Sequence, residues 1–586
     1  MPLLVGMLAD AHPNDPNQVV EPSSSAVERF LKWIDDPKRR QVALDAAIPR
    51  CLNRDVMAKL RGEEEADELF TWLKETSFVN ERTDGWAYHD VVKTQMLRHK
   101  RLSSPQGWAD IHGKLAEYYN GLRNDLQLSQ EEKQRDPSWQ SHTLNVLYHR
   151  LCQSPQKSLS LALNEFLAAL KNQRKFAQQY AETMLQAGKD ADSAEVKVWG
   201  EQLANGLKAY EEKLYQVTLE IFTAVLENSR IEVKWQPIAL GWRGETYFFM
   251  ERYPEALQDF DRAIELDPKY DWVIANRAFT YRLMERYTEA LQDFDRAIEL
   301  DPKSAGAIAG RGQTYKSMER YTQALQDFDR AIELDPKLDW AIAGRGQIYK
   351  SMERYLEALQ DFDRAIELNP KYDWAITSRG ETYRLMERYT EALQDFDRAI
   401  ELNPKSKSAW AIAFRGETYR LMERYTEALQ DFDRAIELYP KYDWAIASRG
   451  ETYLMLKLYN EALADFNRAI NLDSESNWRL YNRALAYQAL NLADKARADL
   501  ALAIKLAKQN YEKDAKNWRN AFNLALYYLA SHYTQPAEQL YRYAISQNAS
   551  SESIREAIQN LNDFLTVFPN HVQATSLRQL LQSSLT

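Results

Sequence analysis

The chain has 586 residues, 75 of them Lys or Arg and 86 Asp or Glu, giving a net charge of −11. With 27% charged and 45% hydrophobic residues it falls in the ordinary soluble range, and its acidic balance disfavours a generally basic nucleic-acid or membrane binder. Roughly 150 residues per domain would allow about four domains, yet 19 glycines and 19 prolines leave few breakpoints, so one long helical body is expected.

Met1-Pro2-Leu3-Leu4-Val5 is apolar but lacks a basic lead and is followed by Asp10, so it does not read as a signal peptide. No run approaches the length of about 18 apolar residues that a membrane helix needs. Cys51 and Cys152 form no CxxC pair; a disulfide framework and a cysteine zinc site are excluded, and a reducing cytoplasm fits best. Pro13, Pro16, Pro22 and Ser23-Ser24-Ser25 mark residues 1–25 as a flexible segment. Helices are then expected around Val27–Ile34, from Pro37 to Ala47, at Asp55–Leu60 and at Ala66–Leu73. Phe78-Val79-Asn80-Glu81 and Trp86-Ala87-Tyr88-His89 flank Asp84-Gly85, a hairpin signal, and Lys93–Arg101 resumes a helix. Residues 26–120 therefore read as a winged-helix-like domain and 121–198 as a helical connector.

Beyond them the chain repeats itself. Pro268, Pro302, Pro336, Pro370 and Pro404 fall 34 residues apart, Pro440 follows after 36 because Lys405 to Trp410 carries two extra residues, and six copies of Arg-Ala-Ile-Glu-Leu precede these prolines. In the unit 305–338, Ile308, Gly312 and Tyr315 share one face of a first helix, and Ala324, Phe328 and Ala331 one face of a second, with a turn at Glu319-Arg320-Tyr321 and Pro336 closing the unit. Gly312 and Ala324 let the backbones approach, and the rings fill the space around them. This ordered set of glycine, tyrosine, alanine, phenylalanine, alanine and proline resembles the tetratricopeptide repeat. The fold class expected is all-α, a TPR α-solenoid wound as a right-handed superhelix, whose concave wall is the ligand surface in the repeats it resembles. Seven units span 237–476, namely 237–270, 271–304, 305–338, 339–372, 373–408, 409–442 and 443–476. A weak eighth covers 477–508, a degenerate forerunner around Gly206, Tyr215 and Phe222 covers 199–236, and 509–586 reads as C-terminal capping helices.

Counting from the start of each first helix, places 4, 8 and 11 point to the core, while places 2, 5, 9 and 12 share another face at 100° per residue. Place 2 holds Trp272, Trp340, Trp374, Trp410 and Trp444; place 9 holds Glu245, Gln313, Gln347, Glu381, Glu417 and Glu451; place 12 holds Arg282, Lys316, Lys350, Arg384 and Arg420. Stacked, they form columns suited to an extended peptide, with indoles for contact area and charges to register its polar groups. Near-identical repeats would give the same columns with no ligand, and a tryptophan at a helix start can simply pack against the loop before it. The lysine–asparagine carboxylate clamp of some tetratricopeptide domains is missing, since place 9 is Glu or Gln and place 5 is Ala275, Ala309, Ala343 or Ala413. Place 7 carries Arg243, Arg277, Arg311, Arg345, Arg379, Arg415 and Arg449, expected to pair with the Asp-Phe-Asp of the second helix, as Arg311 with Asp327 or Asp329.

The hairpin exit Tyr88-His89-Asp90-Val91-Val92 resembles the Met-His-Asp motif in the winged helix of signal-transducing ATPases with numerous domains, with Tyr88 in place of the methionine. Pro2-Leu3-Leu4 resembles the end of the Gly-Leu-Pro-Leu motif that precedes that domain, and the array stands where the family has its sensor. The resemblance implies that His89 is the relic of a contact to the β-phosphate of ADP. No Gly-x4-Gly-Lys-Ser/Thr occurs, and no hydrophobic strand ends in paired aspartates. The chain then begins where the ATPase core would end, and that half would have to be supplied in trans. The leading expectation is a sensor or scaffold binding a protein or peptide; the alternatives are a free-standing assembly scaffold or a transcription regulator whose DNA contacts would be Lys93, Arg98, Lys100 and Arg101. Eight histidines without metal spacing, and acidic residues that recur with the repeats, point to neither enzyme, metal nor cofactor.

Overall fold

A computed structural model describes residues 27–28, 31–32, 34–82, 85–133, 135–404, 408–515 and 517–585. Segment 1–25 with Pro2-Leu3-Leu4, Asp84 of the hairpin turn, and Lys405 of the insertion lie outside the described residues. The chain forms two compact units, Met1–Thr314 and Tyr315–Thr586.

In the first unit, helices Pro37–Asp45, Arg54–Arg61 and Glu63–Lys74 precede a two-stranded antiparallel hairpin, β1 Val79–Arg82 and β2 Gly85–Tyr88, in register Val79 to Tyr88. Leu52 adds a single bridge to the hairpin through Trp86. Gly85 has φ +132, and a Cβ there would lie 2.5 Å from Cys51 Sγ, so both conformation and space demand glycine. Helix Asp90–Ser103 follows and is tied down by Lys100, whose Nζ sits 2.6 Å from the buried Asp45. Helices Pro105–Asp125, Pro137–Gln153 and Pro155–Asn172 each start with a proline, which needs no N–H partner in a first turn. Helices Arg174–Asp190 and Ala194–Glu211 pack with backbones nearly touching: a Cβ on Gly188 or Gly200 would stand 2.3 Å from a main-chain nitrogen of the other helix.

The array is a run of two-helix repeats, exemplified by Asp373–Leu385 and Tyr389–Leu402. The alanine and phenylalanine of the second helix, such as Ala392, Phe396 and Ala399, are buried, as is Ile376 of the first. A non-glycine residue with positive φ ends the first helix of each repeat, for example Glu387 at +60, and the Arg388 N–H closes onto the Tyr383 carbonyl at 2.8 Å.

The place-7 arginines pair with the Asp-Phe-Asp segments, with a division of labour that periodicity alone does not reveal. Arg379 makes a bidentate pair with Asp395 of its own repeat, at 2.8 and 2.6 Å, and a third bond of 2.6 Å to Asp363 of the repeat before. Arg345, Arg415 and Arg449 do the same with Asp361 and Asp329, Asp431 and Asp397, and Asp465 and Asp433. In the first unit Arg277 bridges Asp293 and Asp261, and Arg311 bonds Asp295 at 2.7 Å. Of the two aspartates expected to serve each arginine, the first pairs within its own repeat, as Asp395 with Arg379, and the second faces forward along the stack to the next repeat, as Asp329 to Arg345. A second tie joins the guanidinium of Arg398 to the carbonyl of Pro370, 2.9 Å away in the preceding loop.

Removing one member of such a half-buried, three-bonded set leaves uncompensated charge. Arg379→Ala should therefore cost about 3 kcal/mol, whereas Arg262→Ala, which breaks an exposed pair with Glu265, should stay within about 0.5 kcal/mol. Thermal melts with hydrogen exchange of the 373–402 helices check both; equal effects would mean that the ladder is ornamental.

Candidate functional site

Between residues 339 and 489 successive first helices pack directly on one another, and successive second helices are less close. The stack is therefore tighter on the first-helix side, which makes that side the inner wall. Places 9 and 12 face it, but they do not stand as free columns. Lys350, almost fully buried, forms an ion pair with Glu381 of the next repeat. Arg420 is held by Glu417 at 2.8 Å and lies 3.9 Å from Glu451 of the next repeat. Glu451 in turn accepts hydrogen bonds from Trp478 Nε1 at 2.6 Å and Asn482 at 3.1 Å. Arg384 carries its charge 5.9 Å from the Phe414 ring, and its buried Nε has no hydrogen-bond partner. Gln347 is partly buried on the same face. Cation and carboxylate thus run across the wall from repeat to repeat, a lateral coupling invisible in a list of columns.

The tryptophans divide into two groups. Trp374 and Trp410 are 41% and 58% exposed. Trp374 lies 5.9 Å from Tyr372 and 6.0 Å from Lys316 Nζ, and Trp410 lies 5.5 Å from Tyr442. Trp444 is partly buried against Phe414 of the preceding repeat, 5.2 Å away, and Trp340 is also partly buried. In the first unit Trp272 packs on Trp242 and Tyr270, at 5.8 and 5.7 Å. There Glu245 accepts the Tyr210 hydroxyl at 2.9 Å, and burial raises its carboxyl to about 7. Arg282 has a buried Nε without a hydrogen-bond partner, and burial lowers its pKa. Gln313 belongs to the same first-unit wall and Lys316 to the second unit, each partly buried.

The wall of the second unit is covered over part of its length by the chain itself. Helix Ser551–Val567 lies against the first helices Asp443–Met455, Asn477–Ala489 and Trp518–Ala530. Its Asp563 approaches Arg420 to 3.5 Å. An open wall at Glu417, Arg420 and Glu451 is therefore not what the structure holds, and the reason is tertiary: these residues form the seat of a helix more than 100 positions later in the sequence. No repeat period announces that contact, although the acidic spacing of Glu552, Glu556 and Asp563 is legible in hindsight.

In the first unit His89 immediately precedes helix Asp90–Ser103 without capping it, exposed, with Nε2 2.9 Å from Asn80 of β1. Beside it is a polar cavity of 980 Å³ whose lining includes Arg50, Arg82, Asp90, Lys93, His142 and Asp190. Lys93 donates to the Pro49 carbonyl at 2.9 Å, and burial lowers its ammonium to about 8. With Lys100 on Asp45 and Arg101 on Asp192, three of the four basic residues named for DNA contact are engaged within the fold, while Arg98 is exposed. His112 and His149 face each other, Nδ1 to Nδ1 at 2.9 Å, and burial holds His112 down to about 3. Among the described residues no group of three metal-ligating side chains converges, and no helix is long and apolar enough to cross a membrane.

Residues 237–270, 273–304, 305–338, 340–372 and 372–441 match tetratricopeptide repeat family models. Comparison with curated protein sequences gave no match. Among solved structures, a tetratricopeptide repeat protein from Parabacteroides merdae ATCC 43184 is 21% identical over 41% of this chain and 92% of its own, with TM-score 0.34. YrrB, described as a TPR protein with an unusual peptide-binding site, is 28% identical over 32% of this chain and 97% of its own, with TM-score 0.26. PilW, a type IV pilus biogenesis factor, is 16% identical over 35% and 94%, with TM-score 0.32.

Burial raises the Glu451 carboxyl to about 7, against the pull of Arg420. An acid raised by folding stabilises the fold at pH below its unfolded value and loses that contribution as pH climbs through its folded value. Thermal stability should therefore fall between about pH 4.5 and 7, and Glu451→Gln should flatten that slope; an unchanged slope would mean that Glu451 stays charged throughout.

Proposed function

We propose that this tetratricopeptide chain is a protein-interaction scaffold that binds a protein or peptide segment along the inner wall of its repeats. The observation that carries the reading is the exposure of Trp374 and Trp410, large rings left half-open at the starts of first helices while Trp444 is packed away. Exposed indoles beside charged groups combine contact area, low entropy cost and polar registration, the ingredients of a binding hot spot. Trp272 and Trp444 contribute chiefly by packing on rings of the preceding repeat, and Trp340 is partly buried. Within the second unit, Gln347 and Arg384 are the polar positions nearest to hand for a ligand, and Arg282 holds the corresponding place in the first.

A second reading assigns the array the role of sensor in a switch whose ATPase half is a separate polypeptide. It is favoured by the hairpin that delivers His89, exposed and oriented by Asn80, to the start of a helix. On that reading His89→Ala would weaken nucleotide retention by the assembled pair and leave partner capture by the array unchanged.

The scaffold reading is tested by affinity capture with the full chain. Trp374→Ala with Trp410→Ala should abolish capture of a bound partner, identified by mass spectrometry, with the melting temperature kept; capture that survives both substitutions would remove the tryptophans from the interface. Each hot-spot loss should amount to about 2 kcal/mol of binding.

A further inference from the structure

The last helix pair does not continue the stack. After Thr534–Ser546 the chain turns through Asn548, at φ +59, and Ser550 caps a new helix, Ser551–Val567, by accepting from the Ser553 N–H. That helix runs back over the first helices of earlier repeats, and Val572–Ser584 packs beneath it on Thr534–Ser546. Its Glu552, Glu556 and Asp563 stand at i, i+4 and i+11, which places three carboxylates within about 40° of one another. Each meets a partner on the wall. Glu552 accepts the Tyr355 hydroxyl at 2.5 Å, Glu556 pairs with Arg519 at 2.6 Å, and Asp563 lies 3.5 Å from Arg420. The opposite edge, Ile554, Ala557, Leu561 and Phe564, is buried. Where Phe564 meets Leu454, Trp478 and Tyr481 the remaining void is 10 Å³, about the minimum for one water.

Three features distinguish this contact from an ordinary end cap. It reaches Tyr355, almost two hundred residues back, rather than stopping at the neighbouring repeat. Around an apolar face that joins the core of the repeats, with Ile554, Leu561 and Phe564 beside Leu454 and Tyr481, it sets carboxylates against cations: Asp563 meets Arg420 in a partly buried pair, and Glu556 meets Arg519 in an exposed one of the kind that is individually weak. And the wall carries a cation that the helix does not neutralise: Arg384, whose Nε is buried without a hydrogen bond. Tyr389 lies in the field of both Arg384 and Arg420, so the two cations share one neighbourhood.

We propose that the wall between Tyr355 and Arg519 is a docking site for an acidic amphipathic helix of a protein partner, which residues 551–567 occupy in cis as a built-in competitor. This rests on the reading of the array as a protein-binding wall and names the partner's chemistry: carboxylates at i, i+4 and i+11, apolar residues at i+2, i+5, i+9 and i+12. The tether keeps the competitor at high effective concentration, so only a partner with more contacts, such as a carboxylate for Arg384, displaces it. Such a partner sets residues 551–567 free, and an isolated helix of that length is marginal in water, so displacement is read out as loss of order there.

The test uses the full chain and, as probe, a labelled synthetic peptide of residues 551–567. Glu552→Lys, Glu556→Lys and Asp563→Lys together should accelerate hydrogen exchange in 551–567 while sparing 339–472. They should also make the chain bind the probe at least about tenfold more tightly than the unaltered chain does, with affinity falling as salt rises. A second form guards against misfolding of that variant: a protease site placed between Gln547 and Ser550 is cut, every wall side chain stays native, and the probe should exchange into the nicked chain. Exchange protection that persists in the triple variant, or failure of the probe to enter the nicked chain, overturns the proposal and makes the helix a fixed part of the core. If the probe fails while tryptophan-dependent capture of a partner persists, the scaffold reading stands without this site. If the probe binds and tryptophan dependence is lost, the tryptophan reading alone falls.

Discussion

A helical hairpin with one apolar face has no stable existence by itself, so the register between one hairpin and the next is the constraint on which everything else in the array depends. Here that register is held by one guanidinium between two carboxylates. Arg379 grips Asp395 in its own repeat and Asp363 in the one before, and the same geometry recurs at Arg345, Arg415 and Arg449. Bidentate geometry in a half-buried setting gives direction as well as attraction. The apolar contacts of Ala392, Phe396 and Ala399 supply the burial, but alanine and phenylalanine tolerate sliding; the forked pair does not.

With repeats locked at one spacing, the face carrying places 9 and 12 becomes a lattice of charges close enough to satisfy one another. Lys350 reaches Glu381 and Arg420 reaches toward Glu451 because each place 12 sits beside the next place 9. Burial penalises the charged form of Glu451, which is why its carboxyl is displaced to about 7 in spite of the nearby arginine. The wall is thus partly self-satisfied, while the indoles of Trp374 and Trp410 stay half-open and Arg384 keeps a buried Nε without a hydrogen bond. The helix 551–567 brings further carboxylates to the same surface, as the charge pattern there requires.

The repeat architecture was legible in the sequence because it is a local property written many times. A period of 34 residues, with Gly, Ala and Phe at helical spacing, determines two helices per unit and the face by which they pack. The pairing of the arginine series with Asp-Phe-Asp was legible for the same reason. Tertiary structure alone decided which aspartate belongs to which arginine, since the two aspartates of one motif face different repeats, Asp395 its own Arg379 and Asp329 the following Arg345. It alone decided that Lys93 and Lys100 are held by Pro49 and Asp45, that Trp374 is open while Trp444 is partly buried against Phe414, and that Asp563 stands at Arg420. Each of these depends on contacts between positions distant in the chain, and a periodic sequence assigns the same letter to sites whose neighbours, and hence whose solvent exposure and charge balance, are different.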